Sequence, residues 1–254
     1  MKEIQSLQNN IIKETLKLKE KKMRNIANKF IVEGYHLVNE AYHHGLLRAI
    51  FSTKIEDLNI YNVKDCYLVN DAIIKKLSST INPQGIIGVV QKPSYSEIDL
   101  TKDSLKLVLL DDINDPGNLG SIVRTSAALG YDGIYMSNET VDIFNEKALR
   151  ATQGAIFKIP CFYLDLEEIV LKLKQNNIVC LGTTLDSSIY LDEVQEIKKY
   201  AVTFGNEARG MKEELKQLMN QNIKIKMHNE VESLNVLAAS SIIMYELMKR
   251  SSHE

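Results

Sequence analysis

The chain has 254 residues, of which 44% are hydrophobic and 25% charged, and its formal net charge is -2. That length supplies one large core or two unequal ones, and that composition excludes a disordered protein. Without an overall positive charge, any contact with a nucleic acid must come from a local patch.

One such patch opens the chain. Residues 1–30 hold eight lysines and arginines against Glu3, Glu14 and Glu20, a local excess of +5. This suits a phosphate backbone, and it suits a solvated helix face equally well. Residues 10–29 read as one polar helical stretch. Phe30, Ile31 and Val32 lead into Glu33-Gly34 and an amphipathic run, with Leu37, Val38, Ala41 and Tyr42 on one helical face. Gly45 suits the end of that helix. Residues 49–52, 66–69 and 86–90 read as short strands. Residues 1–95 are thus expected to form a smaller α/β domain. Residues 91–104, with Lys92-Pro93-Ser94, read as a linker.

The second domain is expected to span residues 105–254. Its apolar runs at 105–110, 133–136, 178–182, 200–204 and 223–227 suit strands buried on both faces. Helical patterns lie between them, which predicts an α/β fold with a parallel sheet. In the last helix Leu234, Leu237, Ala238, Ser241, Ile242, Tyr245 and Met248 keep helical spacing. Ala238, Ala239, Ser240 and Ser241 would let another helix approach closely. Core packing and an interface are both compatible with that pattern.

No apolar h-region opens the sequence, and no apolar run approaches the roughly 20 residues that span a bilayer. Cys66, Cys161 and Cys180 are far apart, and the five histidines show no zinc spacing with them. A reduced, cytoplasmic protein without a membrane segment or a metal is expected.

Three segments carry chemistry. Residues 115–127 follow a buried strand; Pro116, Gly117 and Gly120 make a tight turn, with Arg124 about one turn into the helix. Arg124 can grip a phosphate or an activated oxygen, or can serve as a surface ion-pair residue. Residues 204–211 hold Gly205 and Gly210 beyond another strand, where exposed backbone groups can read an adenine or a ribose. In the third, residues 223–235, a polar loop leads to the last helix, and Ser233 is the expected cap. In a parallel sheet, loops at the carboxyl ends of strands converge on ligands. No P-loop and no dinucleotide glycine fingerprint is present, which disfavours nucleotide hydrolysis and nicotinamide chemistry.

Asn118-x-Gly120-x-x-x-Arg124-Thr125, Gly205-x-Glu207-x-x-Gly210 and Ser233-Leu234-Asn235-Val236 resemble the three motifs of the SpoU (TrmH) branch of the SPOUT RNA methyltransferases. Residues 146–160 resemble the family stretch that ends in Gly-Ala-x-Phe-x-x-Pro. Phe30-Ile31-Val32-Glu33-Gly34 and Pro83-Gln84-Gly85 resemble the substrate-binding domain that precedes many members and is similar to ribosomal protein L30e. The resemblance implies a SPOUT-type parallel sheet with a C-terminal trefoil knot, preceded by an L30e-like α/β domain.

It also implies a homodimer that methylates a ribose 2′-hydroxyl of RNA with S-adenosyl-L-methionine. Gly205, Gly210, Ile225, Met227 and Leu234 match positions that hold the cofactor. Asn118, Arg124, Glu207, Ser233 and Asn235 match positions for catalysis and RNA placement. The L30e-like front domain favours large-subunit (23S) ribosomal RNA. A tRNA methyltransferase of the same family and a non-catalytic RNA-binding or ribosome-assembly protein are the alternatives. The chain departs from the family at Ile225-Lys226-Met227, where Ile-Pro-Met is usual, and in the acidic Glu230 and Glu232.

Overall fold

The computed structural model describes residues 1–228 and 233–251. Glu230, Glu232 and His253 lie outside the described residues. The chain divides into two compact units. The first comprises Met1–Ser94 with Asp142–Phe157, and the second comprises Tyr95–Val141 with Lys158–Glu254.

The first unit holds β1 (Lys2–Ile4), α1 (Asn10–Lys17), α2 (Lys21–Ala27), β2 (Lys29–Glu33), α3 (Tyr35–His43), β3 (Leu47–Ser52), α4 (Ile55–Ile60), β4 (Asp65–Val69), α5 (Asp71–Leu77) and β5 (Ile86–Gln91). Its sheet runs β1-β4-β3-β5-β2. β4 is parallel to β1 and β3, whereas β5 is antiparallel to β3 and β2. The core gathers Ile12, Ile31, Phe51, Ile73, Leu77 and Ile87 between helices and sheet.

The expected single helix over 10–29 is two helices. Leu18 is buried, and the Arg24 guanidinium takes the carbonyls of Leu18 and Lys19 at 3.0 and 2.6 Å. Those carbonyls are thereby withdrawn from helical pairing, and no glycine or proline marks the break. The same guanidinium reaches the Asp142 carboxylate from Nη2 at 2.6 Å and from Nε at 3.0 Å. Both side chains are buried. One cation of the basic N-terminal segment therefore serves packing, and it ties residues 142–157 to the unit. Gly45 does end α3, at φ +68, with its N–H donating to the Tyr42 carbonyl.

The second unit begins with β6 (Leu105–Leu110), α6 (Pro116–Ala128) and β7 (Gly133–Met136); α7 (Glu146–Thr152) belongs to the first unit. It continues with β8 (Cys161–Tyr163), α8 (Leu166–Gln175), β9 (Val179–Thr183), β10 (Ile189–Tyr190), β11 (Lys199–Phe204), α9 (Glu213–Leu218), β12 (Gln221–Lys224) and α10 (Val236–Ser251). The order is β10-β12-β9-β11-β6-β7-β8. Every pairing is parallel, so all carboxyl ends face one way. β6 and β11 lie at the centre and are almost wholly buried, which explains their unbroken apolar runs.

Two differences from expectation bear on the site. The strand expected at 223–227 ends at Lys224, so Ile225 and Met227 leave the sheet. The last helix buries Ser240, Ile243, Met244 and Leu247, not the face marked by Leu234, Ile242 and Tyr245. These three are 37%, 43% and 49% exposed. Both faces of α10 are apolar, so spacing alone does not choose the one that meets the sheet. No helix among the described residues is long and apolar enough to cross a membrane.

Candidate active site

The loops that leave β6, β9, β11 and β12 meet at the carboxyl edge of the parallel sheet, where such folds bind ligands. Three of them, those after β9, β11 and β12, line a cleft of about 460 Å³, within the usual range for small-molecule sites. The loop after β6 joins the site through hydrogen bonds.

The head of α6 is built by its own sequence. Asp115 precedes the helix, and its Oδ1 accepts from the Asn118 N–H at 2.8 Å. Pro116 occupies the first turn, where its missing N–H costs nothing. Asn118 then projects its amide across to the loop after β11, and Nδ2 donates to Glu207 Oε1 at 3.0 Å. The Asn114 and Asp115 N–H groups also point at Glu207, at 3.3 and 3.4 Å. Burial pushes the Glu207 carboxyl up, but these donors hold it below its ordinary value. It is a carboxylate at neutral pH, fixed between two loops.

The β11 loop closes on itself: Asn206 N donates to Gly210 O at 3.0 Å, and Gly210 N to Asn206 O at 2.9 Å. A Cβ on Gly205 would stand 2.2 Å from Met211 N and 2.3 Å from Gly210 C, so only glycine permits this closure. Gly210 takes φ +72. Asn206 stitches the turn together. Its Oδ1 accepts from Ala208 and Arg209 N–H at 2.9 and 3.1 Å, and its Nδ2 donates to the Asp112 carbonyl at 2.8 Å. The Asp112 carboxylate in turn pairs with Arg209.

Of the ten residues singled out in sequence, Gly205, Glu207, Gly210, Ile225, Met227, Ser233 and Leu234 line this one cleft. Asn118 reaches it through Glu207. Asn235 does not line it: its Oδ1 accepts from Leu237 N at 2.9 Å, so Asn235, and not the expected Ser233, caps α10. Arg124 is exposed on α6 and lies outside the lining, and its guanidinium makes no hydrogen bond or ion pair among the described residues. Sequence reasoning missed the end of β9 and the loop that follows, where Thr183, Thr184 and Asp186 complete one wall. The Asp186 carboxylate takes the Lys216 ammonium at 2.6 Å. This loop bears no motif, but the strand-end rule that marked the others applies to it too.

The lining fits an amphipathic ligand such as S-adenosylmethionine. Phe204, Ile225, Leu234 and Ile243 offer apolar surface, and the glycine-bounded turn leaves backbone groups within reach. No group of three or more acidic, histidine or cysteine side chains suited to a metal occurs among the described residues.

Comparison with known proteins agrees with this geometry. Residues 106–245 match the SpoU rRNA Methylase family, and residues 9–88 match the MRM3-like substrate binding domain. The chain is 33% identical over 251 residues to the 23S rRNA (guanosine(2553)-2′-O)-methyltransferase RlmP of Bacillus subtilis, covering 97% of this chain and 99% of the relative. An AdoMet-bound rRNA methyltransferase from Sinorhizobium meliloti has a TM-score of 0.87 at 28% identity, over 99% of this chain and 98% of that one. The AdoMet complex of AviRb from Streptomyces viridochromogenes shares the fold at a TM-score of 0.86 and 22% identity, over 97% of this chain and 100% of that one.

Proposed function

Because the chain belongs to the SpoU rRNA methylase family, we propose that it moves a methyl group from S-adenosylmethionine to a ribose 2′-hydroxyl of 23S ribosomal RNA. The observation that carries this reading is that two separated motifs line one cleft and the third is fastened to it, through the bond from Asn118 on the head of α6 to Glu207. In this reading residues 105–254 are the methyltransferase domain and residues 1–95 bind the RNA.

The bound cofactor supplies an electrophilic methyl on a sulfonium, and transfer of that methyl needs no metal. The protein has two tasks: to hold the ribose oxygen in line, about 3–3.5 Å from the methyl carbon, and to ease the loss of its proton. Gly205, Gly210, Ile225, Met227 and Leu234 form the cofactor's bed. Asn118, Glu207 and Ser233 stand where the ribose would enter. A guanidinium has donors only and no acceptor, so Arg124 acts as a cation on the developing alkoxide, together with an RNA phosphate, and not as a base.

A homodimer completes the proposal. Ala238, Ile242 and Tyr245 leave one face of α10 exposed. Helix α6 packs on the buried face of α10, where Ser126 Oγ meets Met244 Sδ at 3.5 Å. In this reading a second protomer packs on the exposed face, and Arg124 acts at a site near that interface. The family's C-terminal trefoil knot belongs to the same proposal, as does a cytoplasmic location beside the RNA. Calorimetric titration of the protein with S-adenosylmethionine tests the reading. Saturable one-to-one binding per chain is expected, and an absence of binding would overturn it.

A further inference from the structure

The first unit displays one large apolar side chain that its own fold leaves uncovered. Ile81 is 90% exposed, more than any other large hydrophobic residue among those described. It stands in the loop 78–85, between α5 and β5. A lone exposed isoleucine on a slack loop would mean little, but this loop is fastened on both sides of Ile81. Glu33 accepts from Ser78 Oγ at 2.5 Å, from Ser79 N at 3.0 Å and from Thr80 Oγ1. Gln84 Oε1 accepts from Tyr35 N at 3.0 Å, and Thr53 N donates to the Gly85 carbonyl at 3.1 Å. The chain thus holds Ile81 in water at a fixed place.

The neighbouring groups indicate what would cover it. Two cations touch the loop's stem: Lys19 Nζ donates to the Ser78 carbonyl at 2.9 Å, and the Arg150 guanidinium donates to Ser79 Oγ. Exposed Lys75 and Lys76 end α5 just before the loop. The acid that contacts the loop, Glu33, already has its oxygens engaged by it. Beside Ile81 lie the exposed amides of Asn82 and Gln84, and Gln84 Nε2 has no partner among the described residues. An apolar knob set among ammonium groups and amide donors matches an unpaired nucleotide. Its base can rest on the side chain, its edge can meet the amides, and its phosphates can meet the lysines.

We propose that Ile81, carried on the loop that Glu33 clamps, supports an unstacked base of the RNA substrate, so that the first unit reads a loop or bulge and not a continuous duplex. This inference rests on the RNA-methyltransferase reading. It assigns to Lys75, Lys76 and Ile81 a common task that packing does not give them.

The test compares wild type with Ile81→Ala and Ile81→Phe on transcribed 23S ribosomal RNA, measuring KM for RNA, kcat, the Kd for S-adenosylmethionine and the melting temperature. Ile81→Ala is expected to raise KM for RNA about fivefold, in keeping with the loss of a stacking surface. Ile81→Phe, which keeps a broad apolar surface, is expected to restore it. Melting temperature, kcat and cofactor Kd should not move. An Ile81→Ala enzyme with wild-type KM overturns the loop's role and leaves the methyltransferase reading standing. A wild type that neither binds nor methylates this RNA overturns both.

Discussion

Asn118 Nδ2 donates to Glu207 Oε1 at 3.0 Å, joining two residues 89 positions apart in sequence and linking the head of α6 to the loop after β11. This bond puts a carboxylate and an amide of one cleft in a fixed relation before any RNA arrives. Removing either partner leaves the other misdirected. Asn118→Ala and Glu207→Ala are each expected to lower turnover about tenfold or more, as for a lost hydrogen bond to a charged group. The double variant should be little worse than the more damaging single one. Steady-state methylation by the four proteins checks this; fully additive losses would show that the two residues act separately.

Arg124 has a different signature, because its guanidinium makes no hydrogen bond or ion pair among the described residues. Arg124→Ala is expected to keep the cofactor Kd and the melting temperature and to lose turnover by about a hundredfold, the scale of removing one charge-stabilising donor. Turnover within a few-fold of wild type would refute the role given to it.

Gly205→Ala introduces a methyl group at 2.2–2.3 Å from the backbone of residues 210 and 211. Forced overpacking of this kind costs about 1–3 kcal/mol and displaces the turn. S-adenosylmethionine affinity is expected to fall at least tenfold, while RNA binding by filter retention stays intact. An unchanged cofactor Kd would separate the cofactor from this turn.

Glu33 makes stability depend on pH. Burial pushes its carboxyl up, but hydrogen bonds from Ser78, Thr80 and Ser79 and the charge of Arg150 hold it below its ordinary 4.5. A depressed carboxyl adds stability above its unfolded value and loses it as pH falls through the folded one. Urea unfolding of wild type and Glu33→Gln should therefore differ at pH 7. The gap should narrow steadily as pH drops below about 4.5. A gap independent of pH would mean that Glu33 contributes by packing and not by charge.

The exposed face of α10 tests assembly. Ile242→Glu with Tyr245→Glu is expected to convert a dimer to a monomer in sedimentation velocity and to abolish methylation while leaving the helix folded. A wild type that sediments as a monomer would contradict the dimer.

Central strands were legible because burial on both faces writes itself as an apolar run: 105–110 and 133–136 agree with β6 and β7 to the residue. Elements decided by tertiary contacts were not. The break between α1 and α2 depends on Arg24 reaching Asp142, a partner 118 residues away. The buried face of α10 was undetermined because Ile243, Met244 and Leu247 compete with Leu234, Ile242 and Tyr245 on equal terms. In the site, glycines and spaced polar residues drew attention to three loops. Thr183, Thr184 and Asp186 carry no such mark and came to light only when β9 took its place beside β11 and β12. Asn206 lay inside a recognised motif, yet its role emerged only from the bonds it makes.

The most direct measurement is the chemical position of the transferred methyl. Protein, S-adenosylmethionine labelled in its methyl group and transcribed 23S ribosomal RNA are incubated together; the RNA is digested to nucleosides, and the labelled product is identified by mass. Label in a 2′-O-methylnucleoside, about one per RNA, is the expected result. Label on a base, or none in the RNA despite bound cofactor, would contradict ribose methylation by this cleft.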